Sequence, residues 1–285
     1  MNKVYACIDG LDTTTAVVDW AAWSALRLQV PLELLHVLER PPQMPHVGDY
    51  SGAIGLGAQE VLLQQLSALD EQRGKVAQEA GEQMLAKARA HAAAAGVQQL
   101  DARLRHGELV DTVLEFEPDA RLFVLGAHYR ASSRARIHLD HHVERVIRAV
   151  RRPVLVATTG QFSTPERFVV AYDGSATANT TVEMVARSPL LKGLPALVAM
   201  VGADTAQAQE QLAAAAEQLR AAGFAVQTQL LPGEPEQALP DLLASQGAAL
   251  LVMGAYGHSR IRHLIVGSTT TTLLRLSQVP VLILR

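Results

Sequence analysis

The sequence predicts an α/β protein made of two tandem doubly wound parallel sheets of five strands, with helices on both faces. Three observations predict it. Short apolar runs alternate with helical stretches along the whole chain, which calls for parallel strands joined by right-handed crossovers. The composition is 49% hydrophobic but only 4% aromatic, dominated by Ala, Leu and Val, and this favours layered helix-on-sheet packing over an aromatic-rich sandwich. The pattern also occurs twice: VYACIDGLDTTTAVVDWAA from position 4 matches VVAYDGSATANTTVEMVA from position 169. Three further landmarks recur in the same order. HGEL at 106–109 parallels PGEP at 232–235, RLFVLGAH at 121–128 parallels ALLVMGAY at 249–256, and RRPVLVAT at 151–158 parallels QVPVLILR at 278–285. Four landmarks in register indicate duplication of one unit.

The elements follow in chain order. The first unit spans 1–158 and opens on the strand VYACI, continues through an amphipathic helix and the strand LELLHVLE, and then carries an insertion over 41–60, PPQMPHVGDYSGAIGLGAQE. Its proline and glycine content predicts a flap or a partner-binding arm rather than regular structure. A long helical stretch follows from Val61 to Gly96. Residues 159–166 are polar and contain Pro and Gly, which suits a linker. In the second unit, 167–285, strands are predicted near 167–173, 195–201, 225–230, 249–253 and 280–284, with helices near 176–188, 204–222, 235–246 and 268–277.

Composition excludes several classes of function. A net charge of −3 argues against a nucleic-acid binder, since that role needs a basic footprint. The single cysteine, Cys7, lies within an apolar strand, so it forms no disulfide within the chain and reads as a buried small hydrophobe. The start MNKVYACID runs directly into a strand, and no window approaches the ~18 apolar residues of a membrane span, so the expected setting is cytoplasmic.

The stretch GAYGHSRIRHLIVGSTTTT, 254–272, carries the chemistry. In a doubly wound sheet ligands bind beyond the carboxyl ends of the strands, where the loop after ALLVM lies. Gly254 and Gly257 allow close backbone approach there. Gly267-Ser268 opens a helix whose unpaired N–H groups favour an anion, and Ser268, Thr269 and Thr270 add hydroxyl donors. Plain N-capping explains the hydroxyl run as well. Together these features form a cradle for a polyphosphate.

Gly254-x-x-Gly257, nine residues, then Gly267-Ser268 resembles the nucleotide-binding pattern of the universal stress protein family, in its ATP-binding subclass. VVAYDGS resembles the family's first strand, PVLILR its last, and the tandem arrangement its bacterial two-domain members. The resemblance implies an adenine nucleotide alpha hydrolase-like, Rossmann-like fold. It implies ATP as ligand, with or without a bridging Mg or Mn ion, whose protein ligands remain unassigned. Asp173 would lie beside ribose or adenine, and the backbone of Val201 would read the adenine edge. Gly254 and Gly257 would admit ribose and phosphates, while Gly267, Ser268, Thr269 and Thr270 would hold the phosphates. It also implies that the two halves pair through their last strands as a pseudo-dimer, with or without further dimerisation between chains.

The first half departs from this pattern. Aligning Pro153 with Pro280 puts Asp140-His141 opposite Gly267-Ser268, and Tyr129 or Arg130 near the place of Gly257. A carboxylate there repels phosphates and bulky side chains block backbone approach, so only Asp9, the partner of Asp173, survives. His138, Asp140, His141 and His142 could be spaced for a metal, but a solvated helix start is the simpler reading. No Ser-His-Asp set, cysteine nucleophile or P-loop lysine accompanies the cradle, so no catalytic residue is assigned. The function expected is that of a nucleotide-responsive stress-signalling or protective protein. A slow ATP hydrolase or phosphotransferase and a nucleotide-free protein scaffold, using the 41–60 insertion for contacts, are the alternatives.

Overall fold

Alternation of side chains across each strand decides how the layers form. A computed structural model of the chain describes residues 2–39, 56–127, 141–247, 249–255 and 268–285. The first half contains strands β1 (Lys3–Cys7), β2 (Leu32–Leu38), β3 (Leu100–His106), β4 (Ala120–Gly126) and β5 (Val154–Ala157). Its helices are α1 (Thr14–Leu28), α2 (Leu56–Ala94), α3 (Leu109–Phe116) and α4 (His141–Ala149). The second half repeats the order with β6 (Arg167–Ala171), α5 (Ala176–Arg187), β7 (Ala196–Val201), α6 (Ala206–Ala221), β8 (Val226–Leu231), α7 (Pro235–Ser245), β9 (Ala249–Gly254), α8 (Ser268–Leu276) and β10 (Val281–Leu284). The second-half elements lie within two residues of the predicted spans.

Val4, Ala6 and Ile8 point to one face and Tyr5 and Cys7 to the other, and every fully buried strand divides its apolar residues in this way. One face is covered by α1, α2, α5 and α6, the other by α3, α4, α7 and α8. Burial on both faces is why the strands read as continuous apolar runs. Glu33 on β2 breaks that apolar run, fully buried yet paired with Lys3 Nζ at 2.8 Å and Arg103 Nε at 2.7 Å. Its two partners keep contact with water, so the carboxylate is compensated without isolating all three charges.

The two five-stranded sheets form one ten-stranded sheet in the order β3-β2-β1-β4-β5-β10-β9-β6-β7-β8. Eight of its nine junctions are parallel; the central one, β5 with β10, is antiparallel, pairing Leu155 with Leu282. An antiparallel seam between two like units is what a two-fold relation requires. The segment between β5 and β6 is irregular, yet Phe162 packs edge-on against Trp20 of α1 at 4.8 Å between ring centroids. The seam is braced elsewhere by the Arg285 guanidinium, which donates to the carbonyls of Arg148 and Val150 at 2.8 and 3.0 Å.

The halves differ most in the helix after their second strand. α2 has 39 residues against 16 in α6. Residues 56–60, assigned from sequence to the irregular insertion, form the first turn and more of α2; residues 41–55 lie outside the described residues. Gly57 is the last glycine or proline of the predicted insertion, and the Gln-, Leu- and Ala-rich sequence beyond it favours helix, so α2 begins within the span assigned to the insertion.

Candidate nucleotide site

Each half has the strand order third, second, first, fourth, fifth, so the direction of winding reverses between the first and fourth strands. That switch lies between β1 and β4 in one half and β6 and β9 in the other. Loops leaving adjacent strands diverge to opposite faces at such a point and open a crevice. In the second half the chain leaves β6 through Tyr172, Asp173 and Gly174, and leaves β9 through Ala255.

The turn after β6 is built by its own side chains. Asp173 Oδ1 accepts the Ser175 N–H at 3.0 Å, and Ser175 Oγ accepts the Ala178 N–H at 3.1 Å as the cap of α5. Gly174 has φ +73°, and a Cβ at that position would lie 2.5 Å from Gln211 Oε1 of α6. Asp173 itself is exposed at the rim of the crevice. Below it Tyr172 is buried, its hydroxyl donating to Asn179 Oδ1 at 2.6 Å. Burial, and then the negative charge of Asp173, raise the phenol's pKa.

Val201 ends β7, half-buried and paired with Leu231. Gly254 ends β9 beside α5, and the structure gives it a packing role: a Cβ there would stand 2.8 Å from both Thr177 Cγ2 and Thr181 Oγ1. Gly126, its counterpart in the first half, has the same role, with a Cβ only 2.0 Å from Thr13 Oγ1. The glycine therefore lets the fourth strand and the start of the first helix meet closely in both halves. Helix α8 begins at Ser268 with no acidic residue in its first turn, and Thr270 is 5% exposed. Because α8 leads into β10, which runs parallel to β9, its N-terminus stands at the carboxyl end of the sheet. Asp173, Val201, Gly254 and the start of α8 thus share one edge of one half-sheet. Gly257 and Gly267 lie outside the described residues, as do the side chains of Ser268 and Thr269.

The corresponding edge of the first half has a different electrostatic character. The turn survives: Asp9 Oδ1 accepts the Leu11 N–H at 2.9 Å and the Thr14 hydroxyl at 3.2 Å. Helix α4 begins at His141, the position aligned with Ser268, but carries Glu144 in its first turn. Glu39 stands 3.3 Å from His142 Nδ1 and accepts the Leu109 N–H at 3.1 Å, while Glu108 pairs with Arg145 at 3.5 Å. Sequence reading missed Glu39 and Glu144. Extending the internal alignment outward finds them, because Ala203 and Thr271 occupy the matching second-half positions. A cleft of about 680 Å³ lies between α1 and α2, lined by Asp9, Thr14, His36, Met84, Lys87 and His91. The His36 Nδ1–H donates to the Ile8 carbonyl at 2.7 Å and His91 is held by Asp19 at 2.6 Å. The sequence readings of Tyr129, Arg130, His138 and Asp140 fall outside the described residues, and no metal-binding group of His, Cys, Asp and Glu occurs among the described ones.

A repeated doubly wound unit, with an acidic turn and a glycine at its switch point, defines a class of Rossmann-like α/β proteins. The chain belongs to the universal stress protein family, which its sequence matches over residues 1–158 and again over 165–285. It is 35% identical over 288 aligned positions to Universal stress protein Slr1230 of Synechocystis, covering all of both chains. A crystal structure of a universal stress protein from Archaeoglobus fulgidus superposes with a TM-score of 0.71 at 20% identity, covering 100% of this chain and 98% of that one. A functionally unknown protein from Pseudomonas aeruginosa superposes with a TM-score of 0.60 at 16% identity, covering 100% and 92%. Among the described residues no helix is long and apolar enough to cross a membrane.

Proposed function

We propose that the second half binds ATP and that the protein is a nucleotide-responsive member of its family, signalling or protecting under stress through nucleotide-dependent conformation or contacts. The observation that carries this reading is the difference between two equivalent helix starts. α8 opens behind Gly267 without an acidic residue in its first turn, whereas α4 opens behind Asp140 with Glu144 in its first turn. Only the former suits a triphosphate, because unpaired N–H groups and the helix dipole attract an anion that nearby carboxylates would repel.

In this reading Asp173 faces the ribose or adenine, the Val201 backbone reads the adenine edge, and Gly254 with Gly257 brings the loop close to the nucleotide. Gly267, Ser268, Thr269 and Thr270 hold the phosphates, with Mg or Mn neutralising them where present. Buried Thr270 serves by fixing the first turn as much as by donating. The 41–60 insertion is the surface proposed for a protein partner, and 159–166 the linker between domains.

Mass spectrometry of small molecules released from purified protein, followed by calorimetry, tests the reading. ATP at about one per chain, without turnover, is expected. Two equivalent sites would restore the first half as a binder, metal-dependent release of ADP would make the protein an ATPase, and failure to bind ATP would leave the scaffold role.

A further inference from the structure

We propose that the seam between the two halves contains a binding site for a small aromatic carboxylate. A cavity of about 180 Å³ lies there, on the face of the sheet covered by α1 and α5. Its wall is apolar and drawn from both halves: Leu28 and Leu122 from the first, Met184, Leu191, Leu282 and Leu284 from the second. An apolar cavity of about 150 Å³ stays dry and accepts a benzene ring, so this one has room for a phenyl group.

The internal two-fold relation says what shape belongs there. Aligning Asp9 with Asp173 sets Trp20 opposite Met184 and Trp23 opposite Arg187, while the sheet pairing sets Leu155 opposite Leu282. At the counterpart position the space is filled by aromatic rings. Trp20 meets Phe162 at 4.8 Å and Trp23 at 5.4 Å, both edge to face. In the cavity the smaller Met184 replaces the indole, and its thioether is a favourable neighbour for an aromatic ring. The protein thus fills one of two related sites with its own rings and leaves the other lined but unfilled.

Charge selects the anion. Arg121 and Arg187 both line the cavity and are exposed, and neither makes a hydrogen bond or ion pair among the described residues. A guanidinium beside an apolar slot is suited to a carboxylate attached to a ring. The rim is held in place by Arg27, whose Nε donates to the Leu190 carbonyl at 2.5 Å and whose Nη2 donates to the Lys192 carbonyl. The site lies at the seam rather than at the switch points.

The test uses the full chain labelled with ¹³C-methyl methionine, with the Met184 signal identified from Met184→Leu. Titration with phenylacetate should shift that signal saturably. The double variant Arg121→Gln/Arg187→Gln, altered only at exposed positions, should weaken phenylacetate about tenfold and leave phenylacetamide unchanged. Met184→Trp, which supplies the ring found at the counterpart position, should abolish the interaction. No saturable shift with millimolar phenylacetate would overturn the proposal. So would equal affinity for phenylacetate and phenylacetamide in the unaltered protein, since the arginines would then recognise nothing.

Discussion

The two halves share a turn, a strand order and a glycine at the end of the fourth strand, yet they carry different side chains around the helix start at the edge where a ligand would sit. Asp9 and Asp173 each accept a backbone N–H two residues on, and Gly126 and Gly254 each press a strand end against the first helix. These shared features build the fold. What differs is the ring around them, with Glu39 and Glu144 in one half and Ala203 and Thr271 in the other. At the switch point the repeat preserves the turn and the packing glycine while the neighbouring charges diverge, and function is to be sought in what was not repeated.

The strongest way to break this comparison is to convert the second half into the first. Replacing Gly267-Ser268 by Asp-His should leave the fold intact, because Asp is a good helix cap, but lower ATP affinity by roughly a hundredfold or more through repulsion of a few kcal/mol. Adenosine should lose much less. Calorimetry showing ATP bound as before in a folded variant would remove the cradle from where it is proposed.

The glycines sharpen the comparison next. Gly126→Ala and Gly254→Ala should each destabilise the protein by about 1–3 kcal/mol in denaturant titrations, since the added methyl meets Thr13, at the start of α1, at 2.0 Å and Thr177 and Thr181 of α5 at 2.8 Å. Loss of ATP binding in Gly254→Ala without loss of stability would make that glycine a ligand-approach residue instead. A smaller effect is expected at the cap of α5. Ser175→Ala removes the bond to the Ala178 N–H and should cost about 1 kcal/mol, read from the midpoint of chemical unfolding.

The smallest effect concerns Cys7, which has Ala171 as its counterpart. Burial, with a lesser contribution from Asp9, pushes its thiol from the ordinary 9.0 up to about 12. The native state therefore holds the proton more tightly than the unfolded chain. Its stabilisation is complete below pH 9 and is lost as pH rises from there towards about 12. At pH 8 a thiol reagent should leave native protein unmodified and react fully once it is unfolded; rapid labelling of the native form would place the thiol at the surface.

Sequence reading found most of the fold because its signals are local. An apolar run followed by a 3.6-residue pattern marks strand and helix within a dozen residues, and duplication allowed each half to check the other. The same alignment located the helix start at Ser268 and its altered twin at His141. It was less informative where roles depend on approach in space. Gly254 reads as a glycine beside a ligand, and only the positions of Thr177 and Thr181 reveal its packing role. Nothing in LERPP or HHVERV says that Glu39 and Glu144 flank one helix terminus, since 105 positions separate them, counting from 39 to 144.

The sequence by itself determined the alternation of strands and helices, the duplication and the buried character of both sheet faces, because these rest on the periodicity of neighbouring residues. Tertiary structure decided the rest. Val154–Ala157 and Val281–Leu284 are two short apolar strands whose composition is compatible with any neighbour, and pairing in a ladder depends on backbone N–H and C=O groups that all residue types share. Their antiparallel union into one ten-stranded sheet was implied by family resemblance, not by the pattern of the strands themselves. The cavity lined by Leu28 and Leu122 from one half and Met184 and Leu282 from the other follows from that union, because its wall does not exist until the two halves meet.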